Sequence, residues 1–319
     1  MIALVIALGH AAEPVFNDRG IVLAAPNIGP YAGGISAPTV VFDGKGYVMY
    51  FETPRAATTP DCADGFAIGR ATSNNGRNWV LDAAEILGPA IDPDAMDRCG
   101  VSQPAVVFDG KVFHLFYSQS RTKRTSTATA NRNGGIGYAT SENGVDFSRV
   151  DDAVVPPAST AVGLASALIL DGQFYLYYSQ YPDLYVASGP IDLSTEWSLD
   201  GLVMDHDDQD WSATWLLSAA ALCRQGGEVE IFVGGNSGAV RSIGRATSPD
   251  AYEFEFASDD PLTSPTLDIK NLKHWDVIAG KAVGQYMMWY AKDDLTGRKV
   301  IGMASTDRFG RPLSRVCSL

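Results

Sequence analysis

One short unit recurs along this chain, and the repetition is the strongest constraint on its fold. The unit opens with a run of the type Pro-x-Val-Val-Phe-Asp-Gly and continues through a second apolar run to an Asn-Gly turn and an aromatic residue. Five copies start near Ala37, Gln103, Ala165, Ser218 and Asp276. The turn glycines recur at roughly 55 to 66 residues, a period typical of stacked or radial units.

Each copy has the pattern of four short strands. Val, Ile, Phe, Tyr and Trp are concentrated in runs divided by Gly, Asp and Asn, and no segment shows a sustained helical stripe. A four-stranded unit repeated radially is a propeller blade. The sequence therefore predicts an all-β, five-bladed β-propeller. The fifth copy lacks an outer strand, so we expect the segment 15–24 to pair with it and close the ring, which removes an exposed edge.

Length and charge limit the function classes. A chain of 319 residues with 46% hydrophobic content can bury a large core, and residues 13–319 are predicted to form a single domain. The net charge of -13 argues against nucleic acid or an anionic membrane as partner, because phosphate binding needs a basic field. An acidic chain of this kind suits neutral or cationic ligands better.

The first twelve residues are apolar and end in small residues just before Glu13. This segment, 1–12, resembles the end of a secretory signal, although it lacks a basic start and would be a partial one. A buried N-terminal strand is the alternative. The run is too short to span a bilayer, and no other segment qualifies. We therefore expect a secreted or periplasmic protein.

The chain has four cysteines. An even count in an exported protein is typical of disulfides, with three pairings open to four cysteines. The blade assignment puts Cys62 and Cys99 on one face of the propeller, and Cys223 and Cys317 on the other. We predict the pairs Cys62–Cys99 and Cys223–Cys317, the second fixing the C-terminal segment. Buried unpaired thiols in a cytosolic protein are the alternative.

The longest and most polar connections map to one face of the predicted propeller, around its central funnel. They are 27–36, 52–64, 83–103, 118–134, 200–217 and 258–276. Long loops on one face of a rigid scaffold usually carry binding.

The inner-strand run, together with the blade-ending pattern Ala-Thr-Ser-x-Asn-Gly-x-x-Trp or Phe at 71–79 and 139–147, resembles the glycosidase-like five-bladed propellers. That group holds glycoside hydrolase families 43, 32 and 68 and related mannoside phosphorylases. The resemblance covers nearly the whole chain and implies a glycan in the funnel. In family 43, it further implies three carboxylates at the starts of inner strands, acting as general base, pKa modulator and general acid.

This sequence departs from that pattern at the positions that matter most. Alignment of the inner strands on their turns puts Ala37, Gln103, Ala165, Ser218 and Ile278 at the equivalent ring positions. None of them is a carboxylate, so the ordinary family mechanism is not expected unless neighbouring acids replace the missing ones.

Three acids are candidates for that replacement. Asp276 precedes Ile278 by two residues and hence lies on the same side of its strand. Glu52 ends the second strand of blade one on the funnel face, and Asp97 enters blade two. The alternative for each is a loop residue satisfied by turn hydrogen bonds or solvent.

Further residues are predicted to bind the substrate: Arg98, Gln103, Trp211, Trp215, His274 and Ser218. An arginine beside Asp97 could bind a hydroxyl or carboxylate and depress the pKa of a nearby acid. Indoles stack on sugar faces, although rings wedged between blades explain the tryptophans equally well.

Two charged loops complete the candidates. The run 205–210, Asp-His-Asp-Asp-Gln-Asp, could hold calcium through its oxygens, with a solvated loop as the alternative. A basic cluster at Arg121, Lys123, Arg124 and Arg132 could cover the funnel or meet an acidic glycan, or simply be solvated. No other cofactor is expected, since zinc and phosphate-loop motifs are missing from the sequence.

Three hypotheses follow. The first is an exported, glycoside hydrolase-like protein with an altered catalytic set that acts on an oligo- or polysaccharide. The second is a non-catalytic glycan-binding propeller, and the third is a protein-interaction propeller. Because the ring carboxylates are missing, the sequence favours neither the enzyme hypothesis nor the glycan-binding hypothesis over the other.

Overall fold

A computed structural model of the chain describes residues 13–55, 62, 65–82, 84–121, 134–156, 162–192, 197–224, 227–280, 282, 284–306 and 312–317. The segment 1–12 and the basic residues Lys123, Arg124 and Arg132 lie outside this part of the chain. Within it, strands are interrupted by three 3-10 helices, His206–Asp208, Asp210–Ser212 and Ile269–Asn271. The strands form five sheets arranged as a β-propeller, which confirms the predicted fold.

The first two blades are four-stranded and antiparallel, with strands in sequence order from the axis outward. Blade one contains β2 (Ser36–Phe42), β3 (Tyr47–Arg55), β4 (Gly65–Ser73) and β5 (Val80–Leu81), preceded in the chain by β1 (Asn17–Leu23). Blade two contains β6 (Gly100–Phe108), β7 (Phe113–Ser120), β8 (Ile136–Ser141) and β9 (Ser148–Val155).

The next two blades repeat this order. Blade three contains β10 (Val162–Leu170), β11 (Gln173–Gln180), β12 (Asp183–Pro190) and β13 (Ser198–Met204). Blade four contains β14 (Trp215–Cys223), β15 (Val229–Ser237), β16 (Val240–Ser248) and β17 (Glu255–Phe256).

Blade five is completed from both ends of the chain. Its own strands are β18 (Trp275–Ala279), β19 (Tyr286–Asp293) and β20 (Lys299–Ser305), and β1 is its fourth, outermost strand. β1 pairs antiparallel with β20, and Asn17 lies opposite Ser305. The predicted closure of the ring by an N-terminal strand is therefore confirmed. A short final strand, β21 (Val316–Cys317), adds in parallel to the inner strand of blade three.

The blade-ending motif joins neighbouring blades. In blade one, Ser73 Oγ accepts a hydrogen bond from the Gly76 N–H at 2.9 Å, and Gly76 has a φ of 72° that favours glycine. The buried Trp289 of blade five then donates its indole N–H to the Gly76 carbonyl at 2.8 Å. The same contact recurs from Tyr50 to Gly144 and from Tyr177 to Ala251. The repeated motif thus supplies an acceptor for the preceding blade.

A second set of contacts links the inner strands around the axis. Thr39 Oγ1 accepts the Val106 N–H of the next blade at 3.3 Å, and Ser166 Oγ accepts the Ala221 N–H at 2.9 Å. Asp276 takes this position in blade five, since its Oδ2 accepts the Val40 N–H at 2.6 Å. The three side chains lie opposite Tyr50, Tyr177 and Trp289 in their blades. They therefore mark one level of the ring.

The two predicted disulfides are confirmed. Cys62 is bonded to Cys99, and Cys223 to Cys317, with Cα separations of 5.2 and 5.6 Å. The second bond joins blade four to the chain end, where β21 pairs with blade three. In the part of the chain that is described, no helix has the length and apolarity needed to cross a membrane.

Candidate functional site

The funnel face holds a cavity of about 360 Å³ to which all five blades contribute. It lies where the inner strands begin and the second strands end. Its lining consists of Ser36, Glu52, Pro54, Phe66, Gln103, Ser179, Tyr181, Leu216, Leu217, Arg241, Lys273, His274 and Lys299. Three of the predicted site residues, Glu52, Gln103 and His274, are therefore brought together here.

Glu52 is the one carboxylate among these described lining residues. It lies opposite Ser36 on β3, close to the end of the strand, and its residue is 8% exposed. Its Oε2 accepts the backbone N–H of Gln103 from blade two at 3.1 Å. A hydrogen bond to a carboxylate from another blade fixes the position of Glu52 at the funnel wall.

Gln103 is held in an unusual backbone conformation. The φ angle of Gln103 is 47°, and that of Ala37 in blade one is 46°. Both residues lie in bulges where the register of the inner strand shifts. Such a φ is strained for a residue with a side chain. Ser118 Oγ donates to Gln103 Oε1 at 2.9 Å and accepts the Leu164 N–H of blade three at 2.9 Å. This chain of contacts ties blades one, two and three beneath the cavity.

Gly163 makes room for this arrangement. A Cβ there would lie 3.0 Å from Ser179 Oγ and 3.1 Å from Gln103 Oε1. Ser179, another lining residue, donates to the Gly163 carbonyl at 3.3 Å. A side chain at position 163 would require the side chains of Ser179 and Gln103 to shift by a few tenths of an ångström.

The part of the cavity lining that comes from blades four and five contains three basic side chains. Lys273, just before β18, and Lys299, the first residue of β20, both contact the carboxylate of Asp293. Arg241 of β16 donates to the Leu272 carbonyl at 2.9 Å. Burial lowers the pKa of Arg241, while the charge of Asp293 acts to raise it. We call Arg241, Lys273 and Lys299 the cationic wall.

Burial also lowers the pKa of Lys273, and the neighbouring Lys299 adds to that effect. The sequence analysis did not select these residues. A signal existed for Arg241 and Lys299, because the hairpins at 237–240 and 293–299 join second and third strands and therefore lie on the same face as Glu52. Lys273 lies in the connection 258–276, which the sequence already placed on that face. Those two hairpins are short, so loop length did not distinguish them from ordinary turns.

His274 and Ser218 lie side by side at the boundary between blades four and five. Ser218 Oγ is 3.5 Å from His274 Nδ1 and 3.4 Å from the Lys273 carbonyl. Ser218 is buried and His274 lines the cavity. Ser218 is therefore placed to orient the imidazole, and its role in ligand binding remains a prediction.

The two tryptophans occupy different environments. Trp211 is 8% exposed and packs edge-on against Phe256, above Gly235 and Gly244 of blade four. Trp215 is half-buried and makes an edge contact with Tyr181, which lines the cavity and is 52% exposed. The aromatic residues that line the cavity are thus Tyr181 and Phe66, while Trp215 contacts Tyr181 and is not among the lining residues.

Asp97 and Arg98 lie in the connection into blade two, away from the cavity lining. Asp97 is buried, where it pairs with Arg149 at 2.7 Å and accepts from the Tyr117 hydroxyl at 3.3 Å. Arg98 donates through Nε to the Arg121 carbonyl at 3.1 Å. Both therefore bind protein groups in this structure.

Asp276 lies below the cavity and is 3% exposed. Its carboxylate pairs with Arg315 of the C-terminal segment and accepts the Val40 N–H. Arg315 also donates to the Val277 carbonyl at 3.1 Å. The structure thus joins Asp276 to the chain end and to blade one.

The acidic run 205–210 forms a self-capped turn. Asp205 Oδ1 accepts the Asp207 N–H and Asp208 Oδ2 accepts the Asp205 N–H, each at 3.0 Å. His206 Nδ1 lies 2.7 Å from Asp183, and with Asp205 these residues put three ligand-type atoms within 4.8 Å of one another. Calcium takes oxygen ligands, so an imidazole in the set does not suit it.

No protein-family model matches the chain. Two curated proteins from Thermoanaerobacter sp. (strain X514) are similar to part of it. A 1,2-beta-oligomannan phosphorylase is 28% identical over 140 residues, which cover 39% of this chain and 46% of the relative. A beta-1,2-mannobiose phosphorylase is 27% identical over 144 residues, which cover 41% and 47%. The chain thus spans about half the length of the curated relatives it matches.

Solved structures match over nearly the full length at low identity. A glycosyl hydrolase from Bacteroides ovatus is 15% identical with a TM-score of 0.64, and the match covers 95% of this chain and 97% of that one. The alpha-L-arabinofuranosidase PaAbf62A from Podospora anserina, in complex with cellotriose, is 13% identical with a TM-score of 0.64, covering 92% and 97%. This chain has the glycosidase-like five-bladed β-propeller fold, as the motif resemblance implied.

Proposed function

We propose that this protein acts on a glycan bound in the funnel and that Glu52 is its acid–base group. The observation that carries the proposal is the position of Glu52, which is fixed at the cavity wall by a contact from the next blade. A catalytic acid must lie within hydrogen-bond reach of the atom it protonates. Tyr181 supplies an aromatic surface for a sugar ring on the same cavity.

The surroundings of the other two candidate acids support structural roles for them. Asp97 is paired with Arg149, and Asp276 with Arg315. Both acids are buried outside the cavity lining. Glycoside hydrolysis by the usual mechanisms needs two carboxylates on either side of the scissile bond. With Glu52 alone among the described lining residues, the nucleophile must be activated in another way.

The comparisons favour carbohydrate as the ligand class. The printed descriptions of the similar proteins are phosphorylases and glycosidases. In a phosphorylase the attacking group is phosphate, which carries its own charge and does not need a second carboxylate as base. Two disulfides fit an oxidising compartment, and we propose that the protein is secreted or periplasmic.

A non-catalytic glycan-binding propeller is the second candidate, favoured by the same lack of a second carboxylate in the described lining. Both candidates use the funnel. They differ in whether bonds are broken.

Product release from a panel of polysaccharides and aryl glycosides, with and without phosphate, separates the two. We expect turnover by the wild type, a loss of roughly 100-fold or more in Glu52→Gln, and retained glycan binding. Glu142→Gln, an exposed acid on the opposite face, is the matched control and should keep full activity. Binding without turnover would establish the second candidate. If the protein showed no binding and no turnover, both candidates would be excluded.

A further inference from the structure

The cationic wall stands out against the charge of the whole chain. The chain carries a net charge of -13, yet three basic side chains, Arg241, Lys273 and Lys299, line the cavity with one carboxylate, Glu52. A second carboxylate, Asp293, contacts the two lysines. The three basic side chains come from blades four and five, whereas Glu52 comes from blade one. Fields in a cleft with low-dielectric walls act strongly on a charged ligand.

Asp293 shows what this wall binds within the protein itself. Its two carboxylate oxygens are divided between Lys273 Nζ and Lys299 Nζ, one to each lysine. An oxyanion therefore already bridges the two ammonium groups. Lysine ammonium groups and an arginine fork are donors suited to carboxylate and phosphate oxygens.

These groups can be reached from solvent. The side chains of Lys273, Lys299 and Asp293 are 31%, 33% and 41% exposed. Arg241 is held at the Leu272 carbonyl through one guanidinium nitrogen. A ligand anion can thus contact the lysines from the cavity, either beside Asp293 or in its place.

We propose that the cationic wall binds an oxyanion of the funnel ligand, either the carboxylate of an acidic sugar or phosphate acting together with a neutral glycan. This inference rests on the proposed function in using the funnel as the glycan site. It gives the ligand a negative charge, the same sign as the net charge of the protein, so binding depends on the local positive charge of the cationic wall. It also assigns Asp293 the role of an internal competitor for the two lysines.

Calorimetric binding of three probes tests the inference. The probes are acidic oligosaccharides from plant, algal and microbial polysaccharides, the same oligosaccharides with their carboxyl groups reduced to alcohols, and inorganic phosphate. We expect the acidic forms to bind more tightly than the reduced ones if the anion is a sugar carboxylate. If it is phosphate, we expect phosphate to bind and the two sugar forms to bind alike.

Three variants identify the wall as the site. Lys299→Gln and Arg241→Gln should weaken anion binding roughly tenfold, while Asp293→Asn should strengthen it roughly two- to fivefold by removing the competitor. Lys111→Gln, an exposed lysine on the opposite face, is the matched control and should change nothing. Raised salt should weaken binding of the anionic probe in the wild type.

The inference is overturned if acidic and reduced oligosaccharides bind alike, phosphate does not bind, and Lys299→Gln has no effect. That result would leave the proposed function intact, because a neutral glycan would still occupy the funnel. If no oligosaccharide binds but phosphate binds with the expected dependence on Lys299, the anion site stands and the glycan proposal fails.

Discussion

At the scale of single residues, equivalent positions in three of the five blades make the same contact with side chains of different chemistry. Thr39, Ser166 and Asp276 each accept an N–H from the next blade. Only the last of these is charged, and Arg315 neutralises it. The acid at this level of the ring, Asp276, is thus explained by its hydrogen bond to blade one and by its ion pair with Arg315.

We expect Asp276→Ala to destabilise the fold by about 3–5 kcal/mol, because it leaves Arg315 as an uncompensated buried charge. Thr39→Val removes the equivalent neutral contact and should cost only about 1 kcal/mol. Urea unfolding of both variants measures the difference. Equal losses in the two variants would show that the Asp276–Arg315 pair is not what stabilises this level of the ring.

Sequence reasoning reached Glu52 and Gln103 because each follows from its place in a repeat. It could not show that Asp276 pairs with Arg315, since 39 residues separate them and no local pattern links them. It also placed Ser218 at the position of Ala165. The register shift in blade four instead falls between Leu216 and Ser218, so Leu217 is the bulge residue that matches Ala165. Bulges of this kind depend on tertiary packing and leave the repeat pattern nearly unchanged.

At the scale of elements, short connections proved as informative as long ones. The hairpin that follows β19 is fixed by Asp294, which accepts the Thr296 N–H at 2.8 Å and the Arg298 N–H at 3.0 Å. This turn presents Asp293 and Lys299 opposite each other. The strand pattern predicted such a hairpin. The charged residues beside it form part of a cationic cluster only because the fold places Arg241 of blade four close to Asp293.

His206 joins the turn at 205–210 to blade three through its contact with Asp183, and the strength of this contact should depend on pH. The hydrogen bond to Asp183, with smaller contributions from the charges of Asp207 and Asp205, raises the pKa of His206 above its ordinary value. The stabilisation is therefore fully present below about pH 6.5, the ordinary histidine pKa, and is lost as pH rises through the raised pKa of the folded state.

We expect the difference in unfolding free energy between wild type and His206→Gln to be largest near about pH 6 and to shrink by about pH 8.5. Taking the difference removes the contribution of His114, whose pKa burial lowers and whose effect has the opposite sign. Chemical denaturation across this range provides the measurement. A difference that stays constant with pH would mean that the stabilisation by His206 does not depend on its protonation.

At the scale of the whole molecule, the ring is held at its rim and at its axis. β1 closes blade five at the rim. At the axis, the segment 312–317 pairs with blade three, bonds to blade four through Cys317 and pairs with blade five through Arg315. The sequence predicted the rim closure and the disulfide, because an unpaired edge and an even cysteine count are both visible in it.

We expect the loss of Cys223–Cys317 to cost more stability than the loss of Cys62–Cys99. The bonds close loops of 94 and 37 residues, for which chain entropy alone predicts about 4.7 and about 3.8 kcal/mol. Loss of the first bond also loosens Arg315 from Asp276. Thermal unfolding of the two double serine variants tests this order, and a reversed order would contradict the role given to the chain end.

The two closures also determine when this protein can fold. The outer strand of blade five, at residues 17–23, is made before the first four blades, and its partner β20, at residues 299–305, is made after them. The axial segment is later still. During synthesis, blades one to four are made between these two strands and form an open arc until β20 has left the ribosome. The ring therefore cannot close until β20 has been made, and up to that point the outer strand of blade five has no partner in its sheet.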